Sequence, residues 1–161
     1  NQRLIYEADT SAKGNWNDTD LKNTTIPLII SGMEEDLQNV LKEVNTYANR
    51  GKFSSGYDTG LLSKDKVFIP GHAEVYGDTS DGYGIDQSIT ESNQKQFPIF
   101  VDSNYRKKIQ SGSNNCEDWW LRSPHYDSAY FCYVRADYNV YTNVDHGNRT
   151  EWHGICLCFN V

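Results

Sequence analysis

An α+β fold with helices and small antiparallel sheets is what this sequence predicts, on three observations. Helical periodicity belongs to the first third of the chain, short alternating apolar segments fill the last third, and turn-rich polar stretches lie between them. A chain of 161 residues fits one domain, 1–161, and buries enough apolar surface to fold on one core.

Taken in order, a short helix is expected after Asp18 or Thr19, ending before Pro27 because proline disfavours helical geometry in the residue ahead of it. "IPLIISG" (26–32) is far below the ~20 apolar residues of a membrane span and reads as a buried segment. Residues 31–48 carry the clearest helical pattern: Ser31 and Glu34 have capping-box spacing, and Leu37, Val40, Leu41, Val44, Tyr47 and Ala48 recur at helical intervals. A Gly- and Ser-rich loop (49–60) follows. "KVFIP" (66–70) reads as a strand and "HAEVYG" (72–77) as one helical turn ended by Gly77, and a long polar connection covers 78–96. "FPIFVDSNYRKKIQ" (97–110) reads as a helix or helical turn, with Arg106, Lys107 and Lys108 as its solvated face.

From "DWWLRSP" onward the period changes to two, giving strands at 129–136, 139–144 and 154–161. Cys132, Val134 and Ala136 should face inward with Val140, Thr142 and Val144. Phe131, Tyr133, Arg135 and Asp137 should look outward with Asn139, Tyr141, Asn143 and Asp145. Residues 125–153 are peculiar: 14 of these 29 are Tyr, Asn, Asp or His, against 29 of the 124 before them. A core built of such residues would leave polar groups unpaired, so they belong on an outer face and in loops. Tyrosine brings amphipathic contact area at low entropic cost, and short polar residues bring adaptable hydrogen bonding, as in antibody paratopes. The bland alternative is that Tyr and Asn merely suit edge strands and turns.

A net charge of −7 argues against nucleic acid, whose affinity comes from clustered Lys and Arg, and no segment suggests membrane insertion. The chain opens at Asn1 with neither initiator Met nor signal pattern, as expected of a processed product or of a domain excised from a longer protein. Cys116, Cys132, Cys156 and Cys158 lack zinc-site spacing. Small buried hydrophobes, or a disulfide from Cys132 to Cys156 or Cys158, are the two readings left open, and the position of Cys156 and Cys158 beside Phe159 argues for burial. His125, His146 and His153 with Asp145 and Cys132 make a metal site only on paper, so neither a metal nor a cofactor is expected. Trp119, Trp120 and Leu121 are core candidates, and Arg122, with five fixed donors, suits a buried role holding loops. "WND" (16–18) imitates a calcium-binding tripeptide of sugar-binding lectins but has no E-P-N partner.

"EDWWLRSP" (117–124) resembles the W-W-L-R-S-P signature of a family of gut-bacterial and phage proteins known as a domain of unknown function. "DLQNVLKEVNTYAN" (36–49), "SKDKVFIPGHAEVYG" (63–77) and the closing "GICLCFNV" resemble further elements in that family's order, so the likeness covers about 16–161. The resemblance implies a C-type lectin-like fold, shared by formylglycine-generating enzymes and by the variable proteins of diversity-generating retroelements. In those variable proteins template adenines are miscopied near the C-terminus. An AAY codon so treated yields Asn, Tyr, Asp and His, with Trp152 and Glu151 left invariant. The implied function is non-enzymatic recognition of a protein or glycan on a target cell, by an extracellular domain on a phage tail, pilus or bacterial surface, with an oligomer compatible. Its binding surface would comprise Tyr126, Tyr130, Tyr133, Arg135, Tyr138 and Asn139, continuing through Tyr141, Asn143, Asp145, His146, Asn148 and Arg149. The alternative is a structural or adhesin domain of a surface protein without a diversified site.

Overall fold

"WWLRSP" sets the frame. In a computed structural model that describes residues 2–3, 16–48, 61–77, 94–109, 112, 114–124, 130–136, 142–146 and 152–161, this segment is strand β7 (Trp119–Pro124) of a five-stranded sheet. The others are β1 (Gln2–Arg3), β8 (Tyr130–Val134), β9 (Thr142–His146) and β10 (His153–Ile155). Their order across the sheet is β1-β10-β7-β8-β9. Neighbours are antiparallel except β10, which runs parallel to β7. Three two-stranded ladders surround it, all antiparallel: β2 (Val44–Ala48) with β3 (Leu61–Asp65), β4 (Val67–Phe68) with β11 (Cys158–Phe159), and β5 (Lys108–Ile109) with β6 (Cys116–Glu117). With its few short helices the fold is α+β.

Side chains alternate across the two central strands, and both faces are covered. Trp120 and Phe131 enter one core with Trp16, Leu21, Ile26, Leu41, Val67 and Ile69, and Tyr133 packs against it. Trp119, Leu121, Cys132 and Val134 enter a second core with Val75 and Phe100. This corrects the expected outer face: Phe131 and Tyr133 do not look away from the protein, because β8 is an interior strand roofed on both sides. Among the described residues β9 is one edge of the sheet and β1 the other.

The helical expectations needed more repair. Helical backbone does not stop before Pro27: a π-helical stretch, Leu21–Thr25, runs straight into α1 (Ile26–Ser31), and Ile26 stays helical at φ −63°, ψ −45°. Pro27 is the second residue of α1 and lies within this continuous helical path. Burying Leu21 and Ile26, about 2 kcal/mol each, outweighs the local preference against helix. "IPLIISG" is not buried as a whole, since Leu28 is 66% exposed. The long helix at 31–48 is instead α2 (Glu35–Val40) followed by strand β2; Ser31 ends α1, its hydroxyl donating to the Leu28 carbonyl at 2.8 Å, and Glu34 precedes α2. Leu41 turns the chain extended, and the five register pairs from Val44↔Asp65 to Ala48↔Leu61 decide the remainder.

"HAEVYG" is α3 (His72–Tyr76), closed by Gly77 at φ 75°, a left-handed position where a Cβ would also lie 2.9 Å from Gln96 Oε1. Residues 97–110 give two 3₁₀ turns, Pro98–Phe100 and Ser103–Arg106, and then β5. Arg106, Lys107 and Lys108 are therefore not one solvated helix face: the Arg106 guanidinium lies 4.7 Å over Tyr76, and Lys108 lies 5.1 Å over Phe100. The closing strand divides into β10 and β11, which serve different sheets. None of the four cysteines is in a disulfide.

Candidate functional site

Beneath the hairpin of β8 and β9 lies an aromatic support. The Tyr133 ring stacks on His153 at 4.4 Å and 22°, and meets Trp120 edge-on at 6.1 Å and 77°. His153 in turn sits 4.3 Å from Trp120 at 62°. His153 is buried, while its neighbour Trp152 is 46% exposed, so the chain entering β10 presents one aromatic to solvent and one to the core. Such packed rings each add about 0.5–1.5 kcal/mol beyond area burial, and they hold the Tyr133 backbone firmly.

The expected binding residues fall into three groups. Tyr133 is half-buried on this support and Arg135 is exposed at the end of β8. Tyr130, Asn143, Asp145 and His146 are placed by register: Tyr130 pairs with His146, Phe131 with Asp145, and Tyr133 with Asn143. Tyr126, Tyr138, Asn139, Tyr141, Asn148 and Arg149 lie outside the described residues, as do His125 and Glu151. Cys132 and His153 are split between the two faces of the sheet, which dismantles that part of the paper metal site. Trp152, expected from the sequence only to be invariant, is exposed beside the stacked His153 and so is a contact candidate; the Trp-His alternation entering a strand is the available signal.

Trp119, Trp120 and Arg122 frame the site. Trp119 Nε1 donates to the Arg106 carbonyl at 2.8 Å, and Arg122 is fully buried. The Arg122 Nε donates to the Tyr47 carbonyl at 2.9 Å, Nη1 to the Ile69 carbonyl at 2.8 Å and to Glu74 Oε2 at 2.6 Å, and Nη2 to Gln94 Oε1 at 3.4 Å. Glu74 Oε2 also accepts from the Gly71 N–H at 2.9 Å. One guanidinium thus ties β2, the end of β4, α3 and residue 94 to β7. Gly71 allows this closeness, since a Cβ there would stand 3.1 Å from Arg122 Nη2.

A second buried polar knot secures the N-terminal helices. Asp65 accepts from Trp16 Nε1 at 3.4 Å, from the Ser63 hydroxyl at 3.0 Å, from the Lys22 ammonium at 3.1 Å and from the Thr46 hydroxyl. Lys22 also donates to Ser63 and to Asn17. "WND" therefore anchors a helix start through buried Trp16 and Asn17. Among the described residues no three His, Cys, Asp or Glu side chains gather as a metal set, and no helix there is long and apolar enough to cross a membrane.

What these features define is an α+β domain whose central sheet is locked by a buried arginine and carries a hairpin at one edge. The chain belongs to the family described as domain of unknown function DUF6273, whose model matches residues 5–153. No curated protein and no solved structure matches it.

Proposed function

We propose that this domain is a non-enzymatic recognition module of C-type lectin-like fold, with a surface centred on the β8–β9 hairpin and its loops that a diversity-generating retroelement varies. The observation that carries the reading is the position of the Tyr-, Asn-, Asp- and His-rich stretch: it supplies the edge hairpin of a sheet whose interior is pinned by Arg122 and by the Tyr133–His153–Trp120 rings. Rigid support beneath variable contacts lowers the entropy lost on binding. The fold and ligand class follow from the resemblance of "WWLRSP" and its accompanying elements, and a phage tail, pilus or bacterial surface is the proposed setting, with a protein or glycan of a target cell as ligand. Tyr133 moves from contact residue to support, and Trp152 joins Arg135 as an exposed candidate.

The competing reading, a structural or adhesin domain without a diversified site, draws on the burial of β8 on both faces. Binding of the purified chain to a glycan array and to a panel of intact bacterial cells separates the two. The recognition reading predicts a specific target whose capture falls at least about 10-fold in a Tyr138→Ala/Tyr141→Ala variant, a loss of ~1.4 kcal/mol, with the melting temperature unchanged. Undiminished capture, or a variant that melts far earlier, supports the structural reading.

A further inference from the structure

We propose that Lys22 and Asn17 become joined by an intramolecular side-chain amide bond, with Asp65 carrying the protons that the reaction moves. Asn17 lies in the 3₁₀ turn Trp16–Asp18 and Lys22 in the π-helical stretch Leu21–Thr25. Both backbones are fixed: the Thr19 hydroxyl donates to the Trp16 carbonyl at 2.8 Å and accepts from the Lys22 N–H at 3.2 Å, and Asn23 Nδ2 donates to the Asn17 carbonyl at 2.8 Å. The Lys22 ammonium then meets Asn17 Oδ1 at 2.5 Å. Given the ~1.23 Å length of a C=O bond, its nitrogen stands no more than about 3.7 Å from the Asn17 amide carbon, close to the separation at which an amine attacks a carbonyl. Asp65 completes the set, since its Oδ1 lies 3.1 Å from the same nitrogen. Ser63 bridges the two as well, accepting from Lys22 and donating to Asp65 Oδ1 at 3.0 Å. The carboxylate is held in place, because Trp16 Nε1 and the Thr46 hydroxyl donate to its other oxygen. Asp65 and Trp16 are buried, Asn17 is half-buried and the Lys22 side chain is 18% exposed, so water has limited access to the acyl carbon. A nucleophile, an acyl group and a proton carrier held in mutual contact are what amine–amide exchange lacks in free solution.

The chemistry balances without a co-reactant. Asp65 takes a proton from the Lys22 ammonium, and the lone pair of the neutral amine attacks the Asn17 Cγ to form a tetrahedral adduct. Asp65 returns its proton to Nδ2, the Cγ–Nδ2 bond breaks, and ammonia leaves with the electron pair. The nitrogen of Lys22 loses a second proton through Asp65 to the departing ammonia, which becomes ammonium. One primary amide and one alkylammonium become one secondary amide and one ammonium ion, and nothing is oxidised or reduced.

The test is the intact mass of the purified chain, followed by peptide mapping. The chain should be lighter than its sequence by one ammonia, and tandem mass spectra of its peptides should place the loss on a cross-link from Asn17 to Lys22. After unfolding in guanidinium chloride, acetic anhydride should acetylate the other lysines and leave Lys22 unlabelled. Lys22→Met and Asp65→Asn should each keep the full mass of their sequences. Where a variant fails to fold, the mass and the lysine labelling of the wild-type chain decide alone. A wild-type chain of full mass whose unfolded Lys22 acetylates like the other lysines, as a plain ion pair would leave it, overturns the proposal. An ammonia loss that persists in Lys22→Met, as a succinimide at an asparagine would give, overturns it as well.

Discussion

Arg122 shows how much one side chain organises. Its guanidinium is wholly buried, and its partners come from four separate segments. Breaking a buried ion pair from one side strands the other charge, so Glu74→Leu should destabilise the chain by about 3–5 kcal/mol in urea unfolding. Arg122→Lys should cost nearly as much, because a compact ammonium cannot reach two backbone carbonyls, a carboxylate and an amide oxygen at once. Ordinary stability in the lysine variant would mean that the carbonyls of Tyr47 and Ile69 find other donors. Tyr133 belongs to the same scale. Half-buried between His153 and the first core, it should cost about 2 kcal/mol when truncated to Ala, below the range for a fully buried aromatic. A change under about 0.5 kcal/mol would return Tyr133 to the binding surface.

Among the elements, β2 separates what the sequence could disclose from what it could not. Leu37, Val40, Leu41, Val44 and Tyr47 repeat at helical spacing, yet residues 44–48 are extended because β3 supplies their partners, and β3 lies across a loop that local pattern cannot bridge. Thr46 held the clue: its hydroxyl donates to the buried Asp65 carboxylate, an arrangement suited to a pleated strand. Thr46→Val keeps the shape and strand preference while removing that donor, and should cost about 1–3 kcal/mol; an unchanged unfolding midpoint would show that Lys22, Ser63 and Trp16 already satisfy Asp65. Elements defined by local chemistry were easier to read. Gly77 is needed for the left-handed end of α3, and alternation in "AYFCYVRA" yields β8. The same alternation could not tell that both faces of β8 are covered, because covering depends on remote Trp16 and Phe100. Likewise, the twelve expected contact residues rest on composition, strand period and the family resemblance, whereas the stacking of Tyr133 on His153 became visible only when β10 was placed beside β7.

At the scale of the whole molecule, two apolar layers clamp one sheet, and the chain's most unusual composition falls on the hairpin at that sheet's edge. Trp119, Trp120, Arg122 and Trp16 hold the frame, and the proposed function assigns recognition and variation to the hairpin with its loops. Sequencing the locus across many isolates tests this division most directly. The account predicts substitutions concentrated within codons 125–150, confined to adenine positions of a nearby near-copy repeat beside a reverse transcriptase gene, with Trp119, Trp120, Arg122 and Trp152 unchanged. Substitutions scattered evenly along the gene, with no such repeat, would contradict it.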